Sequence, residues 1–466
     1  MEKGKRVLIV AYLFPPIGGI GVQRALKFAK YLCDHGYTPT VLTTHDAVSA
    51  TMDEHLLDEV PDEIETIRVK DPMVGLIKRA FAATTSSAAA SDSTLTTDDG
   101  EEGLRQRVKR MLKSLKDILL TPDEQILWAL KAAFAASRIV REKRIDCVVT
   151  TSSPVSAHIV GWLLRRWTHV EWVADFRDPW TDNMHFHATG WRARFERWLE
   201  HRVLVNCSAI TTVTDAFAEL FARKHATVSE KTTVIRNGVD PADFHTLDPA
   251  PQAGRFTILY AGILYPKRSP ESFLKALSQA LRSGRIHPDH IRVEFAGVFD
   301  YPGSNANADL VERLHLQKVV KVLGYLRHEE VTKRMAAAHS LLLIGDADPS
   351  AHMYIPGKLY EYLYTRRPIF GIMQQGEASS LIEHYQAGVV VGPTDIARIE
   401  DEIVTMVNHF RKNGPISDHR PVPRELTRPY QAEQLARILD EVTGKPTVPK
   451  RRHTVAIEPL KQRRLL

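Results

Sequence analysis

The run VLIVAYL near the amino terminus is apolar and β-branched, with no alternation of polar residues. A strand without a polar face is buried on both sides, and that demands a parallel sheet covered by helices above and below. The residues that follow agree. A loop, FPPIGGIG, leads into the helical pattern VQRALKFAKYLCDHG, which ends at Gly36, and a second apolar run, PTVLTT, completes a βαβ unit with a glycine-rich first turn. The glycines fall at 18, 19 and 21, which is not the dinucleotide fingerprint. Gly18 and Gly19 would let backbone approach a ligand closely, and the next helix offers free N–H groups to an anion. The same pair would also serve a tight turn with no ligand.

The alternation continues. DCVVTTSS, PVSAHIVGWLLRRW and VEWVADFRDPWTDN read as strand, helix and strand, followed by AITTVTDAFAELFARK and TTVIRNGVDPADF. A Pro/Gly/Ala linker, LDPAPQAGR, lies near residue 250, after which the pattern restarts with FTILYAGIL, YPKRSPESFLKALSQAL and IRVEFAG. The expected architecture is α/β, with two Rossmann-like domains facing across a cleft. Residues 1–250 form the first and 251–424 the second; 425–444 are a final helix returning to the first, and 445–466 are a basic, disordered tail. Residues 81–103 are low-complexity and read as a disordered loop. Just after them, Leu104, Val108, Met111, Leu112, Leu115, Ile118 and Leu119 recur at helical spacing among arginines and lysines. A membrane-surface contact or a helix with a solvated basic face would both look like this. In WRARFERWLEHRVLVNC the aromatics are expected to pack.

A net charge of +6 suits anionic small molecules or an anionic membrane surface and calls for no nucleic acid. Cys33, Cys147 and Cys207 show no metal-ligand spacing and read as buried thiols of a reducing compartment. No apolar run is long enough to span a bilayer. A cytoplasmic protein is expected, with a peripheral contact at the inner face of the membrane as a candidate.

Ligands of doubly wound sheets gather at the carboxyl ends of strands. Ser152, Ser153 and His158 follow one such end, and Asp175, Arg177 and Asp178 another. The most informative stretch is HMYIPGKLYEYLYTRRPIF, residues 352–370. Pro356 suits a helix start, and Lys358 and Glu361 share one face of the helix that follows. A cation and a carboxylate at the positive end of a helix make a place for a phosphorylated sugar. Taken alone, the pair reads more simply as a surface ion pair on an ordinary helix.

PGKLYEYL followed by an R-P-hydrophobic strand resembles the donor-binding segment of glycosyltransferase family 4, the retaining GT-B enzymes. TTSSP with the later His158, WVADFRDPW, and the PD-x4-W from Pro122 to Trp128 resemble members acting on sugar-lipid acceptors. The resemblance implies transfer of a sugar from a nucleotide-sugar donor to a glycan or lipid-linked acceptor, with retention and without a metal or other cofactor. It implies that Glu361 binds the ribose, and that Gly18 and Gly19 lie against the diphosphate. Gly262, Lys267 and Lys358 would complete the donor site, while Asp175, Arg177 and His158 would face the cleft as candidate catalytic groups. Two positions depart from the family pattern: Met353 replaces a glutamate, and Ile263 replaces an arginine after Gly262. Asp346 and Asp348 form a D-x-D and read as loop acids rather than metal ligands. A nucleotide-sugar epimerase or a catalytically silent binding protein on the same architecture are the alternatives.

Overall fold

A computed structural model of the protein describes residues 4–45, 52–75, 120–244, 254–416 and 421–444. The low-complexity stretch, the basic pattern at 104–119 and the tail from 445 lie outside the described residues.

The first half builds a seven-stranded sheet from β1 (Lys5–Val10), β2 (Tyr37–Thr44), β3 (Glu65–Val69), β4 (Cys147–Thr151), β5 (Glu171–Phe176), β6 (Ala209–Thr212) and β7 (Thr232–Val234). Their spatial order is β3-β2-β1-β4-β5-β6-β7, and every pairing is parallel. The connections are α1 (Ile20–Leu32), α2 (Ile126–Lys143), α3 (Ser156–Thr168), α4 (Gly190–Asn206), α5 (Asp215–Lys224) and the single turn α6 (Ala226–Ser229). The second half repeats the scheme with β8 (Phe256–Ala261), β9 (Ile291–Ala296), β10 (Val320–Gly324), β11 (Ser340–Ile344), β12 (Ile369–Ile372) and β13 (Gly388–Val391). These lie in the order β10-β9-β8-β11-β12-β13, again parallel. Their helices are α7 (Glu271–Arg282), α8 (Ala306–Arg313), α9 (His328–Ala337), α10 (Gly357–Thr365), α11 (Glu377–His384) and α12 (Ile396–Asn413). The expected pair of Rossmann-like lobes is present, each sheet reversing its strand order once, at β1/β4 and at β8/β11.

Burial explains the two-sided apolar strands. Val7 and Ile9 enter one core with α1, while Leu8 and Val10 enter another with α2 to α4. Each such aliphatic side chain contributes about 1.5–3 kcal/mol when fully buried. On the α2–α4 side, Gly161 lets α3 lie against β5, since a Cβ there would stand 2.2 Å from the Trp172 indole. The last helix, α13 (Arg428–Thr443), packs Ala432, Leu435, Ala436 and Leu439 against the α1 side of the first sheet.

The chain crosses between lobes at Arg236–Asp240 and returns at Leu426–Arg428. There Val239 N donates to Leu426 O at 2.9 Å, and Arg428 N donates to Val239 O at 2.8 Å. Gly238 is required at this crossing, because a Cβ would meet Gln431 Nε2 at 2.2 Å and Leu426 O at 2.4 Å. Lys27 and Tyr31 of α1 both donate to Asp240 at 2.7 Å, which fixes the crossing to the first lobe. Burial works against the Asp240 charge, but these two donors hold its pKa down at about 2. Glu59, Asp240 and Asp243 come within reach of one another, and Lys27 pairs with both Glu59 and Asp240.

Candidate active site

The second lobe places its chemistry at the end of β8. Gly262 follows the strand with φ +119° and is held by its N–H donating to Ala296 O at 2.7 Å. The positive φ favours glycine here, and the missing side chain leaves the space beside Lys358 Nζ, which a Cβ would approach to 2.7 Å. Lys358 is the second residue of α10, whose first turn carries no acid and whose start has no side-chain cap. Its Nζ sits 3.9 Å from the centroid of the Tyr260 ring and is buried without a hydrogen-bond partner. Arg268 Nε is also buried without one. Burial first, and then the nearby Arg268 charge, pull the Lys358 pKa down to about 7. Two cations close together with no anion bonded to either, and only the Glu361 charge acting against the shift, stand beside a helix start and form a place of the sort a phosphate fills.

Glu361 lies one turn further along α10 and accepts from His328 Nε2 at 3.1 Å. That bond raises the His328 pKa above its ordinary value. Lys267 sits differently from its neighbour Arg268: it is largely exposed and donates to Asp348 at 2.9 Å. Asp348 also accepts from Ser350 N at 3.0 Å and Ser350 Oγ at 2.6 Å, and these bonds hold its pKa far below the usual carboxylate range. Asp346 accepts from Asp348 N at 3.0 Å.

In the first lobe, Gly19 caps α1 with φ +99°, and α1 begins with no acid and no side-chain cap. Arg177 holds this turn to the β4 loop. Its guanidinium donates to Gly21 O at 2.6 Å, to Ser153 O at 3.2 Å and, more closely, to Ser152 O. It bonds to carbonyls, not to the carboxylates on either side of it in sequence.

Asp175, expected to face the cleft, is instead fully buried. It takes Arg24 at 2.7–3.2 Å, Thr151 Oγ1 at 2.7 Å and Thr211 Oγ1 at 2.6 Å. His158 is sealed as well: Nδ1 meets Thr150 Oγ1 at 2.8 Å, and its ring lies 4.1 Å from that of Phe176. Burial lowers its pKa to about 3, so the ring is neutral. Asp123 of the PD-x4-W stretch accepts from Ser156 N at 2.9 Å and Oγ at 2.6 Å at the start of α3, and Trp128 is fully buried edge-on to Tyr12.

The lobes meet beside this site. Tyr360 of α10 is buried, and burial raises its pKa, partly offset by the charges of Arg236, Arg24 and Arg428 from the first lobe and the final helix. Tyr354 OH accepts from Met184 N at 3.2 Å, and Glu377 Oε1 accepts from Ala216 N at 2.6 Å. The sequence motifs point to Lys267 rather than Arg268, and give no sign of Tyr260, His328 or Arg24.

Two parallel sheets, each with one reversal of strand order, define the GT-B fold. Residues 18–238 match the Glycosyl transferase 4-like domain, and with the two-lobed fold this marks the chain as a glycosyltransferase of the family 4 type. No curated protein matches the chain. Among solved structures it is similar to a glycosyltransferase from Rickettsia africae, with TM-score 0.62 and 15% identity over 94% of this chain and 98% of that one. It is similar to HepE of Anabaena in complex with UDP, with TM-score 0.55 and 14% identity over 94% and 97%. A putative UDP-N-acetylglucosamine 2-epimerase from Listeria monocytogenes gives TM-score 0.53 and 10% identity over 95% and 98%. At these identities the likeness is one of fold. Among the described residues, no helix is long and apolar enough to cross a membrane.

Proposed function

We propose that the enzyme moves a sugar from a nucleotide-sugar donor to a glycan or lipid-linked acceptor with retained configuration. The observation that carries the donor assignment is the buried, unpartnered ammonium of Lys358 over the glycine at the end of β8, with the Arg268 charge close by. Cleavage of the sugar–phosphate bond leaves negative charge on the diphosphate, and cations fixed in advance stabilise that charge as it develops. Glu361 takes two ribose hydroxyls, and His328 orients its carboxylate. Gly18 and Gly19 close the diphosphate from the first lobe. Asp175 and Arg177 act by holding Arg24 and the glycine turn in place, and His158 supports the β4 loop. The leaving diphosphate oxygen takes the acceptor's proton. No metal has a role in this reading.

Thermal shift with UDP, GDP, ADP and the corresponding sugar nucleotides tests it. One nucleoside diphosphate series should stabilise the protein, and stabilisation by none would overturn the donor assignment. The likeness to the Listeria protein supports a second reading, an epimerase. Incubation with labelled sugar nucleotide and no acceptor separates the two, since only an epimerase would release an isomerised nucleotide sugar.

A further inference from the structure

The aromatics of α4, expected to pack, instead face outward. Trp191, Phe195 and Trp198 are 52%, 41% and 43% exposed, although the helix is well seated through Ala193, Leu199, Val203 and Leu204. Phe195 stacks on Trp198 with ring centroids 5.7 Å apart, and Trp198 meets Trp162 of α3 edge-on at 6.2 Å. On the neighbouring pair of helices Phe134, 68% exposed, stacks on Trp167 at 5.2 Å. The rings therefore run across α2, α3 and α4, the layer that covers the face of the first sheet opposite α1 and α13.

Charge is sorted on the same surface. The outward positions of α4 add Arg194, Arg197 and Arg202, with the Arg202 guanidinium 5.4 Å from the Trp198 ring centroid. Both acids of the helix turn inward. Glu196 accepts from Trp180 Nε1 at 3.0 Å and from Arg192 at 2.7 Å, and Glu200 from Thr181 Oγ1 at 2.5 Å and Lys224 at 2.6 Å. Among the described residues, none of the three outward arginines forms an ion pair, so the outward side of α4 presents rings and cations and no carboxylate, while on α2 the exposed Glu142 is paired with Arg138.

We infer that the α2–α4 face docks on the surface of a bilayer containing anionic lipid. Indole rings favour the headgroup level, where one edge is wet and the body apolar, and arginines among them pair with lipid phosphates while their stems lie along apolar surface. The chemistry fits a lipid plane better than an acidic peptide, because the rings span two turns of α4, about 10 Å of helix, and continue onto two further helices.

Flotation of the full chain with phosphatidylcholine vesicles, with and without phosphatidylglycerol, tests the inference. The protein should float only with the anionic vesicles. Trp191→Ser/Phe195→Ser/Trp198→Ser should cut partition about tenfold or more while its thermal unfolding stays unchanged. Arg194→Glu/Arg197→Glu/Arg202→Glu provides an independent second variant with the same expected loss. Because basic segments elsewhere in the chain also attract vesicles, brominated lipid should quench the wild-type tryptophan emission and quench a Trp191→Phe/Trp198→Phe variant less, since only Trp162 and Trp167 then remain on this face. Failure of the wild-type to float, or flotation and quenching that ignore these substitutions, would overturn the inference. So would self-association or oligonucleotide binding by the wild-type that the serine variant abolishes in the absence of any effect on vesicles.

Discussion

The ammonium of Lys358 lies 3.9 Å from the centroid of the Tyr260 ring, over Gly262, with no carboxylate bonded to it. A cation–π contact offsets only part of the cost of burying that charge. The lysine's pKa therefore falls from its ordinary value of 10.5 to about 7. Between those values the native state holds fewer protons than the unfolded chain, so Lys358 makes the empty protein more stable as pH rises through this window. A bound diphosphate reverses the sign by favouring the charged form. Titration calorimetry with the preferred nucleoside diphosphate at pH 8, in buffers of different ionisation enthalpy, should report uptake of about one proton. Lys358→Met should abolish the uptake and leave the empty protein as stable as before or more so. It should also weaken binding by about 1.5–3 kcal/mol, roughly ten- to a hundredfold.

Adjacent residues should differ sharply. Arg268 has a buried, unpartnered Nε and its charge lies near Lys358, whereas Lys267 is already paired with Asp348 at 2.9 Å and exposed to solvent. Arg268→Ala should weaken diphosphate binding by about tenfold or more, as expected for loss of one charge-assisted contact. Lys267→Ala should change it by less than about threefold, since exposed ion pairs contribute little. Equal losses in both variants would place the phosphates on the outer side of the loop.

The fold was readable because every signal it needs is local: two-sided apolar strands, helical spacing between them, and a linker where the pattern restarts. Helix α10 was readable for the same reason, as a proline start followed by Lys358 and Glu361 on one face. Which of Lys267 and Arg268 turns inward was not, since a tight turn with Arg268 N bonded to Tyr265 O sends successive side chains apart. Asp175 misled in a different way. Its position at a strand end is what a cleft residue would have, but its partner, Arg24, comes from 151 residues earlier in the chain. One hint of that pairing was available: Arg24 is a cation inside the apolar stripe of α1, between Val22 and Ala25. The outward turn of the α4 aromatics was hidden because buried acids, Glu196 and Glu200, occupy inward positions that a hydropathy pattern would give to rings.

Glu361 and His328 form a pair that can be followed directly. The hydrogen bond from His328 to Glu361 raises the histidine pKa, so the contribution of the pair to stability is present below the ordinary histidine pKa and lost as pH rises through the raised one. In NMR titrations the His328 ring should move back toward its ordinary value in Glu361→Gln. Glu361→Ala should weaken nucleotide binding while leaving the fold intact, and the loss should shrink for a ligand lacking the ribose 2′ and 3′ hydroxyls. A loss equal for both ligands would remove the ribose assignment.

Asp175 and Arg24 make the opposite case, a charge pair whose removal should be felt in folding. Burial alone would raise the Asp175 pKa, but the Arg24 charge and the Arg24, Thr211 and Thr151 donors bring it below the ordinary 3.8. The stabilisation is therefore complete above that value and is lost only as pH falls through the lowered one. Asp175→Asn keeps the shape and leaves the Arg24 guanidinium buried without its counter-charge. Breaking a buried pair in this way costs about 3–5 kcal/mol. Urea denaturation at neutral pH should show a loss of that order, and the double variant Arg24→Met/Asp175→Asn should recover part of it. Because Arg24 also reaches Asn237 Oδ1 at 3.3 Å, where the chain crosses between lobes, the single variant should loosen the closure of the cleft as well. Nucleotide affinity should then fall in Asp175→Asn although the carboxylate touches no ligand, with the fall recovering when the closed form is stabilised by saturating acceptor.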